Sequence, residues 1–458
     1  MHLFLFFRDF RLVDNLGLIA TLKKYQQVVP AFVFTPQQIN PALNPYFADH
    51  SVQFLCEGLR DLASQIKAKQ GALYIFHGEL LKVLSQIHEV HPISSLTFNI
   101  DYTPYAKKRT MSLRHWTKQN NIAIHLYEDY LLAPVGSFLQ YEQKPYHIYT
   151  FFKKKVYEKE DMIDVVNTFS SFRFEKAPAL ARLCYPIEKL KNFYKANAHA
   201  RLQGGRSAGM GLLANLPRAY SEKRNDLTFA TSHLAAYIKY GALSVREVFH
   251  TLKAHGDLSL QDQLIWREFY TYIAYYFPEV LQGAYWQKKY EKIAWLDDSE
   301  ALRAWQKGQT GYPIVDACMR ELNATGYMHN RGRLITANFL NRLLHIDWRR
   351  GERYFAQMLI DYDPAINNGN WQWVASTGVD PKPYFQRLFN PFLQSKKFDP
   401  HAVYMKKWLP ELAYLPADHL HEWSSFYRLY NLKKINYYAP IVDYKSARQR
   451  SLDAYKLA

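Results

Sequence analysis

The stretch DYDPAINNGNWQWVASTG, residues 361–378, sets two carboxylates two positions apart, adds three asparagines, and places two tryptophans on either side of one glutamine. Large rings beside acids and amides make a poor ordinary core, because buried polar groups need partners. The set suits a planar redox cofactor: indoles can give up an electron, amides donate and accept, and the protein supplies orientation and charge. Other chemistries lack their residues. There is no H-E-x-x-H, no G-x-S-x-G and no recognisable Cys and His setting, and Cys56, Cys184 and Cys318 are isolated. No metal site, hydrolytic nucleophile or disulfide framework is therefore expected.

Between residues 319 and 354, seven arginines (320, 331, 333, 342, 349, 350 and 353) stand against three acids (321, 347 and 352). Arginine grips phosphate bidentately, and Trp266, Trp348 and Trp373 lie in or near these basic segments. Ordinary ion pairs on a helix surface are the plainer reading of such a run. The whole chain leans the same way: 58 Lys and Arg against 41 Asp and Glu give a formal charge of +17, and 16% of residues are aromatic. A polyanion with exposed bases is the partner this favours. The segment TSHLAAYIKYGALS, residues 231–244, offers hydroxyls and backbone amides ahead of a helical pattern, which fits either a phosphate or a simple helix cap.

These residues need a scaffold. The first 130 residues alternate apolar runs (HLFLFF, VVPAFVF, ALYIFHG, SSLTFNI and IAIHLYE) with amphipathic segments. That rhythm predicts a doubly wound, five-stranded parallel sheet covered by helices on both faces. The first strand ends in RDFRLVDN, not in a glycine-rich phosphate loop, so the fold alone gives no warrant for a nucleotide site there. Residues 131–211 lose the periodicity and read as a long, partly ordered connector. Residues 212–458 are helical throughout, with Pro313 and Gly326 placed to start and stop one helix. The expected class is α/β followed by all-α. No membrane span or signal segment is seen, so a soluble, cytoplasmic protein is expected.

The strings FFRDFRLVDN, LIWREFY, WQKGQTGYPIVDACMRELNATGYMHNRGRLITANFL, IDWRRGERYF, NNGNWQWVASTGVDPKPYFQRLFNP and APIVDYKSARQRSLDAYK resemble the DNA photolyase/cryptochrome family, closest to its class I cyclobutane pyrimidine dimer photolyases. The likeness implies an α/β domain followed by a helical domain that holds FAD, active in its reduced anionic form. It implies FAD contacts at Tyr220, Thr231, Ser232, His233, Leu234, Ala235, Arg333, Asp361, Tyr362 and Asp363, with Asn367 beside N5 of the flavin. Trp371 would begin an electron relay continuing through Trp348 to Trp295. Lesion contacts would fall on Gln263, Trp266, Asn330 and Trp373, and phosphate or pocket contacts on Arg224, Arg267 and Arg331. The implied reaction is light-driven: an electron passes from the excited reduced flavin to a flipped-out dimer in UV-damaged DNA, the cyclobutane bonds break, and the electron returns.

Several positions depart from the family pattern. Ala235 and Ala236 stand where Ser-Pro is usual, Gln263 where Glu is, Leu334 where Met is, and Gln386 where Arg is. Tyr105 and Ala106 occupy the places of the amide and carboxylate that would hold a folate antenna, so that pocket reads as degraded and the antenna stays open. Six-four repair needs an imidazole at position 330 or 334, where Asn and Leu stand. Dimer repair by a monomer is the expectation. Six-four repair and blue-light signalling are the alternatives.

Overall fold

A computed structural model describes residues 1–140, 143–164, 166–379 and 383–458. Five strands, β1 (His2–Leu5), β2 (Val29–Phe34), β3 (Tyr74–His77), β4 (Ser95–Asn99) and β5 (Ala123–Tyr127), form one parallel sheet in the order β3-β2-β1-β4-β5. The register pairs Leu3 with Val29 and with Leu96, which sets alternate side chains on opposite faces. Phe4, Phe6, Phe32 and Phe34 enter a core with Leu18 and Leu22 of α1 (Leu16–Tyr25) and Phe54, Leu59 and Leu62 of α2 (Asp49–Ala68). Leu3, Leu5, Val29 and Val33 pack instead on Leu84 and Ile87 of α3 (Leu80–Val90) and Leu113 and Trp116 of α4 (Pro104–Gln119). Both faces are apolar because both are covered, so the doubly wound expectation holds.

The segment RDFRLVDN after β1 does structural work where a dinucleotide fold would place its phosphate turn. Arg11 and Arg246 both bind Asp129 at 2.7 Å, and Arg246 also binds Asp14 at 2.9 Å, all of them buried. Arg246 belongs to a helix of the C-terminal half, Val245–His255, so these ion pairs tie the sheet to the helical part. The stretch expected as a connector is also tied back: Glu175 N–H donates to Val28 O, Tyr185 N–H donates to Ile75 O, and Phe174 bridges Val28 in parallel. It includes α5 (Tyr149–Glu158).

The helices that carry the expected site residues are α6 (Leu258–Tyr276), α7 (Asn330–Asn338), α8 (Trp348–Met358) and α9 (Pro364–Val374). Helix α9 packs against the other three. Two glycines permit the closeness: a Cβ on Gly351 of α8 would lie 2.2 Å from Trp371, and one on Gly369 of α9 would lie 2.2 Å from Tyr270 of α6. Among the described residues no helix is long and apolar enough to cross a membrane, and no group of three or more His, Cys, Asp or Glu could hold a metal ion.

Candidate active site

Helix α9 begins at a cap that reaches across the molecule. Asp363 Oδ1 accepts the backbone N–H groups of Ala365 and Ile366, and Pro364 fills the first helical position, where no donor is needed. Its other oxygen accepts Arg8 Nη2–H and Tyr130 O–H, both at 2.5 Å. Burial alone would raise this carboxyl, but Arg8 and the Tyr130 hydrogen bond outweigh it and lower the pKa to about 2. Two guanidinium groups pack on the Tyr130 ring, Arg8 at 4.4 Å and Arg267 at 4.1 Å from its centre. Asp361, two residues earlier, takes Arg333 Nη2–H at 2.9 Å instead. The two acids are thus divided between two arginines from different parts of the chain.

Along α9, Asn367 and Trp371 are four residues apart and share a face, whereas Trp371 and Trp373 point in nearly opposite directions. Asn367 Nδ2 donates to Glu352 O at 3.0 Å and to Glu352 Oε1 at 2.9 Å. Two acceptors fix the amide's orientation and direct its carbonyl oxygen elsewhere. Burial pushes Glu352 up to about 7, against hydrogen bonding from Asn367. Trp371 is 2% exposed and meets Phe355 at 4.9 Å and Trp305 at 6.2 Å, edge to face. Gly351, which lets it approach, is three residues after Trp348 on the same face of α8. Trp348 meets Tyr285 at 6.1 Å, and Trp295 donates its indole N–H to Tyr285 Oη at 2.7 Å. Trp373 lies on the other side of α9, with the Arg387 guanidinium 4.2 Å from its ring centre.

The expected cofactor residues surround buried polar atoms that lack partners. His233 holds a left-handed backbone, φ 54°, and neither ring nitrogen has a hydrogen-bond partner among the described residues. Burial and the Arg201 charge lower its pKa to about 4, so it is neutral. Asp361 Oδ1 and His329 Nε2 are likewise buried without a partner there. Thr231 Oγ1 and Tyr327 Oη are 3.0 Å apart, Tyr220 and Leu234 are buried, Ser232 and Tyr362 partly so, and Ala235 is exposed. Tyr362 stacks on Tyr46 at 6.0 Å. Neutral imidazoles and a carboxylate oxygen with unused capacity, next to Arg333, fit a ligand that carries both donors and acceptors, as FAD does.

The expected DNA contacts are only partly assembled. Arg224 is exposed and reaches Ser259 Oγ at 3.3 Å, and Gln263 Nε2 donates to Ser259 O at 3.1 Å. Asn330 is exposed at the start of α7, and Arg331 beside it binds Asn225 and lies 4.3 Å from the Phe398 ring centre. Trp266 stacks face to face on Tyr149 of α5 at 3.5 Å, so that face is already covered. Arg267 departs from the expected phosphate or pocket role. It is 8% exposed and turned inward to Glu268 at 2.7 Å and to Tyr130 O at 2.9 Å, because its neighbour Glu268 is buried and takes its charge.

Sequence reasoning missed Arg8, Tyr130, Glu352, Tyr285 and Arg387. Gln386 is exposed, but the next residue, Arg387, places an arginine over Trp373 after all. That one-residue offset is set by the fold and carries no signal in the sequence. Arg8 stood inside a quoted motif, and its two carboxylate partners, Asp101 and Asp363, lie 93 and 355 residues away. Glu352 was counted merely as an acid among arginines.

Residues 2–170 match the family described as DNA photolyase, and residues 259–457 match the FAD binding domain of DNA photolyase. A deoxyribodipyrimidine photo-lyase of Escherichia coli is 32% identical over all of this chain and 98% of its own length. One from Synechococcus is 34% identical over 90% of this chain and 88% of its own. Among solved structures, an archaeal photolyase from Sulfolobus tokodaii with two FAD molecules superposes with a TM-score of 0.89 at 36% identity, covering 100% of this chain and 99% of that one. A Synechocystis cryptochrome superposes equally well, TM-score 0.89, at 26% identity and 99% coverage of both chains. With a parallel five-stranded sheet, a helical half matching a photolyase FAD domain, and relatives matched end to end, this chain belongs to the DNA photolyase family.

Proposed function

We infer that the protein repairs cyclobutane pyrimidine dimers in DNA with the energy of blue light, using FAD. The observation that supports this reading is the two-sided helix α9: Asn367 and Trp371 occupy one face and Trp373 the other, so one rigid element would join a cofactor site to an aromatic that this reading turns toward DNA. Bound there in its reduced anionic form, FAD would supply light-driven transfer of one electron to the dimer and its return.

The chain's own residues do the rest. Tyr220, residues 231–235, Arg333, Asp361, Tyr362 and Asp363 hold the cofactor; Asp361 Oδ1 and the neutral His233 have no hydrogen-bond partner among the described residues, which supports this. Asn367, oriented by Glu352, presents its carbonyl oxygen as an acceptor. Trp371, Trp348 and Trp295 carry electrons inward when the cofactor must be reduced. Gln263 always keeps an N–H donor for a pyrimidine carbonyl and stays neutral, unlike the Glu usual there. Arg224 and Arg331 meet phosphate, while Trp266, Asn330 and Trp373 border the flipped lesion. Tyr105 is 44% exposed and Ala106 buried, and neither carries the amide or carboxylate a folate antenna would need. The Sulfolobus relative carries two FAD molecules, which makes a second flavin the antenna to test first. The protein acts as a monomer inside the cell.

The test is repair itself. FAD-loaded, anaerobically reduced protein mixed with an oligonucleotide bearing one dimer should restore two pyrimidines under blue light and none in the dark. Dimers left intact after prolonged illumination would overturn the reading.

A further inference from the structure

Helix α5 carries none of the residues assigned so far, yet one of its faces is joined to α6 beside Gln263 and Trp266. Tyr149, Lys153 and Tyr157 follow one another at four-residue intervals and form a stripe along α5. Asp262 and Trp266 are spaced likewise on α6. The Tyr149 ring stacks on Trp266 with centres 3.5 Å apart and planes 8° from parallel, and its O–H donates to Asp262 O at 3.1 Å. The Asp262 carboxylate takes Lys153 Nζ on one oxygen at 2.8 Å and the Tyr157 O–H on the other at 2.9 Å. Burial raises both phenols, so they stay protonated and remain donors. Alongside this stripe, Phe152 is 1% exposed and meets Phe269 and Tyr272 of α6 at 5.5 and 5.0 Å, which roots the contact in the core.

A base that has left its stack binds best to a ring that is already held still, because ordering a mobile side chain costs free energy at the moment of binding. With one face closed by Tyr149, Trp266 has lost that freedom, yet it is only half-buried, so ring surface remains for a pyrimidine. The acid next to Gln263 needs an account as well. An Asp262 carboxylate without a partner would repel DNA phosphates; Lys153 offsets its charge and, with Tyr157, turns it toward α5. We propose that α5 is part of the lesion site: Tyr149 is a positioning residue that holds Trp266 for the flipped pyrimidine, and Asp262, fastened by Lys153 and Tyr157, keeps Tyr149 in place. This rests on the repair reading above.

Equilibrium binding in the dark, with FAD-loaded protein and one oligonucleotide either bearing a single dimer or undamaged, reads this without turnover. Tyr149→Leu should weaken dimer binding severalfold and leave binding to undamaged DNA as it was, because no phosphate contact is touched. Tyr149→Phe keeps the stack and loses only the O–H bond to Asp262, so it should bind both DNAs like the parent. Asp262→Ala supplies a control of opposite sign: it removes a negative charge and frees Lys153, so binding to undamaged DNA should hold or rise while the preference for the dimer falls. A merely structural defect would lower both affinities together. Without DNA, in protein carrying fluorine-labelled tryptophan, the Trp266 resonance, identified by its loss in Trp266→Phe, should shift and broaden in Tyr149→Leu and stay near its place in Tyr149→Phe. If Tyr149→Leu does not fold, Asp262→Ala decides the matter by the same comparison of affinities. An unchanged preference for the dimer in either variant, or an equal loss on both DNAs, would overturn the proposal. Trp266→Leu separates it from the reading beneath it: if that variant prefers the dimer as the parent does, the lesion site itself is misplaced, and if it loses the preference while Tyr149→Leu and Asp262→Ala keep it, only the role of α5 falls.

Discussion

At the scale of single residues, the chemistry turns on which side chains already have partners. Asn367 spends its N–H group on Glu352, so what remains for a cofactor is an acceptor. The sequence alone could say only that an amide does both. Glu352, raised to about 7 by burial, is neutral below that pH and charged above it. The pH dependence of photoreduction should therefore show a step near 7, absent in Glu352→Gln. Its folded carboxyl holds a proton more tightly than an unfolded one at 4.5, so it makes the fold less stable as pH rises from 4.5, levelling off above about 7. Denaturant melts of Glu352→Gln should lack that part of the slope. Trp371→Phe should slow photoreduction severely yet leave chemically reduced protein able to repair. Equal photoreduction rates would remove Trp371 from the relay.

At the scale of elements, the alternating apolar runs revealed the sheet because buried parallel strands are continuous and apolar, and that signal is local. Helix α9 was covered only by the expectation that residues 212–458 are helical; its Asp-Pro start, which reads as a capped first turn, was not singled out. What holds α9 in place was not legible: Arg8 and Tyr130 meet Asp363 only through the fold, 355 and 233 residues away in sequence. The inward turn of Arg267 and the stacking of Trp266 on Tyr149 escaped notice for the same reason. Asp363→Ala should destabilise by roughly 2–4 kcal/mol, because it removes a helix cap and one of the two carboxylates that pair with Arg8, Asp101 being left to hold the guanidinium, whereas Asp363→Asn keeps the cap and should cost less. With its pKa lowered from 3.8 to about 2, Asp363 adds stability that is fully present above 3.8 and lost as pH falls through about 2. Acid titration of the two variants against the parent checks this. An identical acid limb in Asp363→Asn would show that the Arg8 contact contributes nothing.

At the scale of the whole molecule, charge and shape set the partner. A formal charge of +17 implies that binding damaged DNA releases counterions, so affinity should fall steeply with salt. Arg331→Ala should reduce the log–log slope by about one if that side chain meets a phosphate. A salt-independent affinity would contradict the DNA face assigned to α6 and α7. The two-part architecture explains why family and cofactor class were readable while lesion choice was less so. The fold rests on long apolar patterns, whereas lesion choice rests on a few side chains such as Gln263, Asn330 and Leu334, whose meaning depends on what they face. The central claim is dimer repair, and the most direct measurement sets the two ultraviolet lesions side by side. Reduced, FAD-loaded protein is illuminated anaerobically with oligonucleotides carrying either a cyclobutane dimer or a six-four product, and the restored bases are quantified. The account predicts reversal of the dimer alone, lost in Gln263→Ala and partly kept in Gln263→Glu. Efficient reversal of the six-four product with the dimer untouched would contradict it.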